Sequence, residues 1–175
     1  MEKNNKPEVW LRGPVEGIMP LLQPVAHSLL QAREEVNTLM FDFPEILLWV
    51  QPVGMASPGF HLQHLSGVID RLFTYAKGEA LTEHQLHKLA TEGKMPETGY
   101  SVMNLLEVFN RQVDWAIKQL SLADELTLTE KRGVGRKQLP STVIGLYTHA
   151  AGHTMRHVGQ LLVTSRILRG SQRAI

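Results

Sequence analysis

Apolar positions recur at steps of three and four along most of the chain. Leu22, Val25, Leu29, Ala32, Val36 and Leu39 form one such series from about residue 20, with Gln31, Arg33, Glu34 and Glu35 mostly outward. Asp42-Phe43-Pro44 closes it, because the residue before a proline is pushed away from helix. A second series, Phe60, Leu65, Val68, Ile69 and Leu72, runs to about Ala76. Ser57 and Pro58 open it as N-cap and first helical residue, and Gly78 supplies a stop. Thr82 and Gln85 have capping-box spacing, which predicts a short helix to about Glu92. A third long helix opens near Ser101, carries Val102, Leu105, Leu106, Phe109, Val113, Ala116, Ile117 and Leu120, and ends near Leu122. A fourth starts around Pro140-Ser141 and ends near Arg169-Gly170, where basic residues suit a helix C-terminus. No run reads as a strand. The pattern predicts an all-α four-helix bundle with a short extra helix after the second long helix.

The connecting stretches are polar or broken. Residues 1–13 read as a polar lead with Trp10 and Leu11 as a docking point. Pro14, Pro20 and Pro24 delay helix until about residue 20, and Pro20 fits a first turn. Residues 45–57 form a connection with apolar content of its own, and Gly93 to Gly99 reads as a loop. In the connection 123–139, Lys131-Arg-Gly133-Val-Gly135-Arg-Lys137 is basic and glycine-punctuated. It lacks the GxxxxGK[ST] pattern and a preceding strand, so it reads as a solvated loop and not a phosphate cradle.

The 175 residues suit one domain, 1–175, with its helical core at about 14–169. The net charge of +1, with both signs interspersed, argues against a nucleic-acid partner. No run approaches the roughly 18 to 20 apolar residues that span a bilayer, and no secretory signal is visible, so the expected location is cytoplasmic and off the membrane. With no cysteine, disulfides and thiolate metal sites are excluded. Any metal must use histidine, carboxylate, backbone or water.

The eight histidines are the compositional feature to follow. His149-Ala-Ala-Gly-His153-Thr-Met-Arg-His157-Val-Gly-Gln160 lies inside the last helix. His153 and His157 are one turn apart, offset by about 40°, so two imidazoles can converge on one ion. With His153 at 0°, Leu146, Ala150, Val143 and Leu161 fall within about 80° on the same side, which puts the pair in an apolar stripe. His149 falls near −40°, at the stripe's edge, which favours the 153/157 pair. Gln160 falls near −20°, where it can orient a ligand ring or meet a substrate. The HxxxH spacing is half of a zincin motif, but position 154 is Thr and the general base is missing. The competing reading is a buried histidine that hydrogen-bonds a backbone carbonyl. A third ligand is expected from the second helix, where His61 and His64 both lie on or beside the apolar stripe. Spacing does not separate them. His84 and His87 read as solvated, and His27 as structural or surface.

The last helix has a second apolar side, Ile144, Ala151, Met155, Val158 and Leu162. Either another helix of the same chain or a second subunit must cover it, so a homodimer through this helix is one expectation.

Ser57-Pro-Gly-Phe-His61-Leu-Gln-His64-Leu-Ser-Gly-Val-Ile-Asp-Arg71, followed in order by His153-Thr-Met-Arg-His157-Val-Gly-Gln160, resembles the DinB/YfiT-like superfamily of metalloenzymes. The likeness spans about residues 14–169. It implies an up-down-down-up four-helix bundle, a three-histidine divalent metal site and often a dimer. It also selects His64, because the family ligand stands immediately before the leucine of this helix; His61 is the fallback. Characterised relatives include bacillithiol-using S-transferases and a mycothiol-dependent maleylpyruvate isomerase.

The resemblance therefore implies a zinc or nickel centre of His64, His153 and His157, with His61, His149 and Gln160 as neighbours or substrate contacts. A thiol-dependent transferase using an exogenous low-molecular-weight thiol and a small-molecule substrate is the first functional expectation. A non-catalytic metal-binding or stress-associated interaction protein and a metal-dependent hydrolase are the alternatives. Neither substrate nor catalytic residues can be read from the spacing. Arg71 and Arg156 are candidates for a substrate carboxylate, with surface ion pairing as the competing role.

Overall fold

The structure is a computed structural model that describes residues 6–96 and 101–172. The start of the polar lead and the last part of the loop expected at Gly93 to Gly99 lie outside these. The long helices are α1 (Gln23–Met40), α2 (Pro58–Ala76), α4 (Val102–Ser121) and α5 (Val143–Gln172), and the short extra helix is α3 (Glu83–Thr91). The architecture is all-α, as the apolar periodicity predicts.

Local chemistry sets the helix ends. Pro20 starts a 3-10 turn, Pro20–Leu22, that runs into α1. Ser57 Oγ accepts from the Phe60 amide at the head of α2, with Pro58 at the first helical position. At α3 the Thr82 hydroxyl accepts from the Gln85 amide, while Gln85 Oε1 accepts from the Thr82 amide. Gln85 Nε2 then donates to Thr74 Oγ1 at 2.8 Å, which fastens α3 to α2. Ser101 caps α4 through the Asn104 amide.

Side-chain pairs fix the helix directions. Arg33 pairs with Asp114, and Asn37 exchanges amide hydrogen bonds with Asn110, so α1 and α4 are antiparallel neighbours. His61 meets His157 and His64 meets His153, so α2 and α5 are antiparallel. Ser165 lies against Met40, and Arg169 donates to the Phe41 carbonyl, so α1 and α5 run the same way. The order is up-down-down-up around one continuous core that includes Leu29, Phe73, Phe109, Leu120 and Leu146.

Two findings bear on what the sequence pattern left open or missed. The 123–139 connection is not wholly a loop: Lys131–Val134 (β1) and Leu139–Thr142 (β2) pair antiparallel, with Gly133 opposite Pro140. Four-residue strands with Gly, Pro and basic residues show no apolar alternation, and a lone hairpin is marginal without support. Support comes from outside it: Arg132 Nε donates to the Ala76 carbonyl at the end of α2. The Val143 and Ile144 amides donate to the Glu130 and Leu128 carbonyls, so the start of α5 moves to Val143.

The second finding concerns the other apolar side of α5, for which a helix of the same chain and a second subunit are the two expectations. This helix packs against both α1 and α2. Ala151 and Val158 are buried, and Ile144 and Met155 pack partly buried against the core. Helices of the same chain therefore cover the N-terminal part of this side, while Val158 and Leu162 line an open groove between α1 and α5. No helix among the described residues is long and apolar enough to cross a membrane.

Candidate metal centre

Three imidazoles meet where the first turns of α2 face the middle of α5. One ring nitrogen from each of His64, His153 and His157 lies within 4.8 Å of the other two. His64 Nε2 stands 2.9 Å from His153 Nε2. Two nitrogens bound to one ion at about 2.0–2.1 Å in a tetrahedral arrangement stand about 3.3 Å apart, so the rings are already near that spacing.

Glu92 sets the direction of His64. Its Oε2 accepts from His64 Nδ1 at 2.8 Å and its Oε1 accepts from Arg71 Nη1 at 2.5 Å. Burial alone would raise the Glu92 pKa, but the hydrogen bonds from His64 and Arg71, with the charge of Arg71, hold it below the usual carboxylate range. An ionised carboxylate only accepts, so His64 Nδ1 carries the proton and Nε2 presents its lone pair to His153. Gly67 makes room for this arrangement: a Cβ there would lie 2.5 Å from Glu92 Oε1 and 2.6 Å from Arg71 Nη1. The Gly93 amide donates to Gln63 Oε1 at 2.7 Å, which ties the segment bearing Glu92 to α2. Phe60 stacks on His64, with ring centroids 5.3 Å apart and planes at 11°.

The other rings are kept neutral. Burial pushes the His157 pKa down to about 4, helped by the neighbouring His64, His153 and His61. His153 is lowered mainly by burial and then by His64. Its Nδ1 is buried with no partner, so its polar contact is made through Nε2. Neutral imidazole is the form that binds a metal. The donor set, the fixed tautomer of His64 and the spacing all fit a divalent ion.

The remaining predicted residues are placed as follows. His61 is 3 % exposed; its Nδ1 touches His157 Nδ1 at 3.1 Å and it stands outside the three-way group. Burial pushes its pKa down to about 4. His149 is exposed, its ring 5.4 Å from that of His153. Gln160 is exposed on the same helix. His84 and His87 are exposed on α3, and His27 Nε2 lies 3.0 Å from the Gly13 carbonyl. Arg71 is buried against Glu92, not on the surface.

Glu92 is the residue that sequence reasoning missed, since nothing periodic connects it to His64. A signal did exist on α2: His64, Gly67 and Arg71 share one face, within about 60° of each other. A cation and a glycine in line with a histidine imply an anion above them.

A surface groove of about 570 Å³ lies elsewhere, between α1 and α5, and contains none of these histidines. Donor chemistry locates the centre better than volume does, because an ion bound on a helix face needs no deep cavity.

Residues 28–161 match the family described as the DinB superfamily. Among solved structures, the crystal structure of a conserved protein from Enterococcus faecalis is similar, with a TM-score of 0.66 and 17% identity. That likeness covers 87% of this chain and 99% of the other. No match to a curated protein was found.

Proposed function

The chain belongs to the DinB superfamily, and from that premise we propose that it binds one divalent metal ion through His64, His153 and His157. The observation that carries this reading is the carboxylate–histidine pair. Glu92 holds His64 Nδ1 at 2.8 Å, which leaves Nε2 facing His153 Nε2 at 2.9 Å. Metal-ligating histidines characteristically donate their other ring N–H to such a partner.

Three neutral nitrogens and no thiolate suit zinc or nickel and leave coordination positions open. Such an ion would supply the charge that deprotonates an incoming thiol or water near neutral pH. The chain's own residues do the rest. Glu92 and Arg71 hold the His64 ring, His61 braces His157, and Phe60 covers one face of His64. His149, its ring 5.4 Å from that of His153, borders the group, and Gln160 would be a substrate contact one turn after His157. With no cysteine in the chain, a thiol nucleophile would come from an exogenous low-molecular-weight thiol. We therefore place the protein as a metal-dependent transferase using such a thiol on a small electrophilic substrate. Metal-dependent hydrolysis and a non-catalytic role in which the ion locks α2 to α5 are the competing readings.

Elemental analysis of untagged protein tests the centre. About one equivalent of zinc or nickel is expected, falling to a small fraction in His64→Ala, His153→Ala and His157→Ala. Full metal content in all three variants would overturn the ligand set. A panel of thiols with electrophilic acceptors tests the chemistry: turnover should vanish on metal removal and return on reloading, with helicity unchanged throughout.

A further inference from the structure

Two arginines stand near the histidines, and only one is in use. Arg71 is buried and held by Glu92. Arg156 is exposed on α5, directly before His157 and three residues after His153. None of the ion pairs among the described residues includes it. Its positive charge acts on both His153 and His157.

Its own helix offers Arg156 no counter-charge. From Val143 to Gln172, α5 contains no Asp or Glu. His149 and Gln160, the exposed polar residues on this flank, bring no carboxylate either. Long helical side chains lean toward the helix N-terminus, and the residues one turn back from Arg156 on α5 are Gly152 and His153. A Cβ at Gly152 or at Gly159 would meet nothing within 4 Å, so both positions, one turn before and after the arginine, face open space. Glu92, the carboxylate at the centre, is already shared between His64 and Arg71. Three imidazoles bring no negative charge to a divalent ion, so the loaded centre and Arg156 together form a positive, open flank.

We propose that Arg156 is a specificity-determining residue of the three-histidine centre and that the natural ligand is an anion. A carboxylate or similar oxyanion would sit against the guanidinium while another atom of the same molecule reaches the ion. This rests on the metal reading given above. The guanidinium fork suits a carboxylate in a way that a lysine point charge does not.

Cobalt(II)-loaded protein provides the test, with a matched pair of thiols as probes: mercaptoacetate, which carries a carboxylate, and 2-mercaptoethanol, which does not. Binding is read from the thiolate-to-cobalt absorption at low ionic strength. Arg156→Gln should weaken mercaptoacetate about tenfold, as expected for loss of one charge-assisted contact, and leave 2-mercaptoethanol within about twofold. Arg156→Lys should fall between wild type and Arg156→Gln. Unchanged mercaptoacetate affinity in Arg156→Gln, in protein with full cobalt content, would overturn the inference alone. Equal weakening of both thiols would also overturn it, by making Arg156 a general support of the centre. Wild-type protein that takes up no cobalt at its histidines would overturn the metal reading and this inference with it.

Discussion

At the scale of single residues, Glu92 decides how well the histidines are prepared. Without its negative charge, His64 loses the acceptor that fixes its tautomer, and Arg71 is left as a buried cation without a partner. Glu92→Gln keeps the shape but weakens both contacts, and a change of this kind at a ligand's supporting partner costs about 10- to 100-fold in metal affinity. Competition with a chromophoric chelator measures this directly; an unchanged affinity would remove Glu92 from the centre. The buried rings also make the metal-free protein sensitive to acid. His61 and His157 have folded pKa values of about 4, against 6.5 for an unperturbed histidine. Between those values the unfolded chain binds more protons than the folded one, so stability rises with pH across this window. The contribution is present in full above about pH 6.5 and is lost as pH falls toward 4. The urea midpoint of metal-free protein should therefore drop between pH 7 and pH 5, and His61→Gln should flatten the drop. A midpoint constant over that range would show that these rings titrate normally.

At the scale of the helices, the glycines separate packing from function. Gly59 sits under the Trp49 ring, and a Cβ there would lie 2.6 Å from Trp49 Cζ3. Gly59→Ala must displace that indole and the 45–57 connection it anchors, which predicts a loss of about 1–3 kcal/mol in chemical denaturation. Gly152 is also helical but faces open space. Gly152→Ala should stabilise the protein by up to about 1 kcal/mol, since glycine is a poor residue in a helix interior. The same contrast explains what was legible in the sequence. Helix starts were readable because Ser57, Thr82 and Ser101 act through contacts three residues away. The face of α5 was readable because Leu146, Ala150 and Leu161 share a stripe with His153 and His157. The β1–β2 hairpin was not, because a distant contact, Arg132 to the Ala76 carbonyl, holds it. Choosing between His61 and His64 was equally beyond periodicity. Both lie on the same side of α2, and what distinguishes them is Glu92, 28 residues further along the chain.

At the scale of the whole molecule, the centre joins two helices that are far apart in sequence. His64 and His153 are 89 residues apart, and the unfolded chain has no reason to hold them together. An ion that binds the folded chain alone stabilises it by mass action, by about 2.7 kcal/mol when free metal is at 100 times Kd. Thermal unfolding should therefore shift upward with zinc or nickel concentration in the wild type, and the shift should disappear in His64→Ala and His157→Ala. Oligomeric state enters the same measurement, because association also stabilises by mass action. Helices α1 and α2 cover much of the apolar surface of α5, but Leu39, Val158 and Leu162 line an open groove between α1 and α5 that a second subunit could cover. If a homodimer forms, its apparent melting temperature should rise with protein concentration even without metal. Light scattering after size exclusion distinguishes the cases: a mass near 19.7 kDa with a metal-dependent shift assigns the stabilisation to the ion alone. Twice that mass, with a shift that follows protein concentration, would assign part of it to a second subunit.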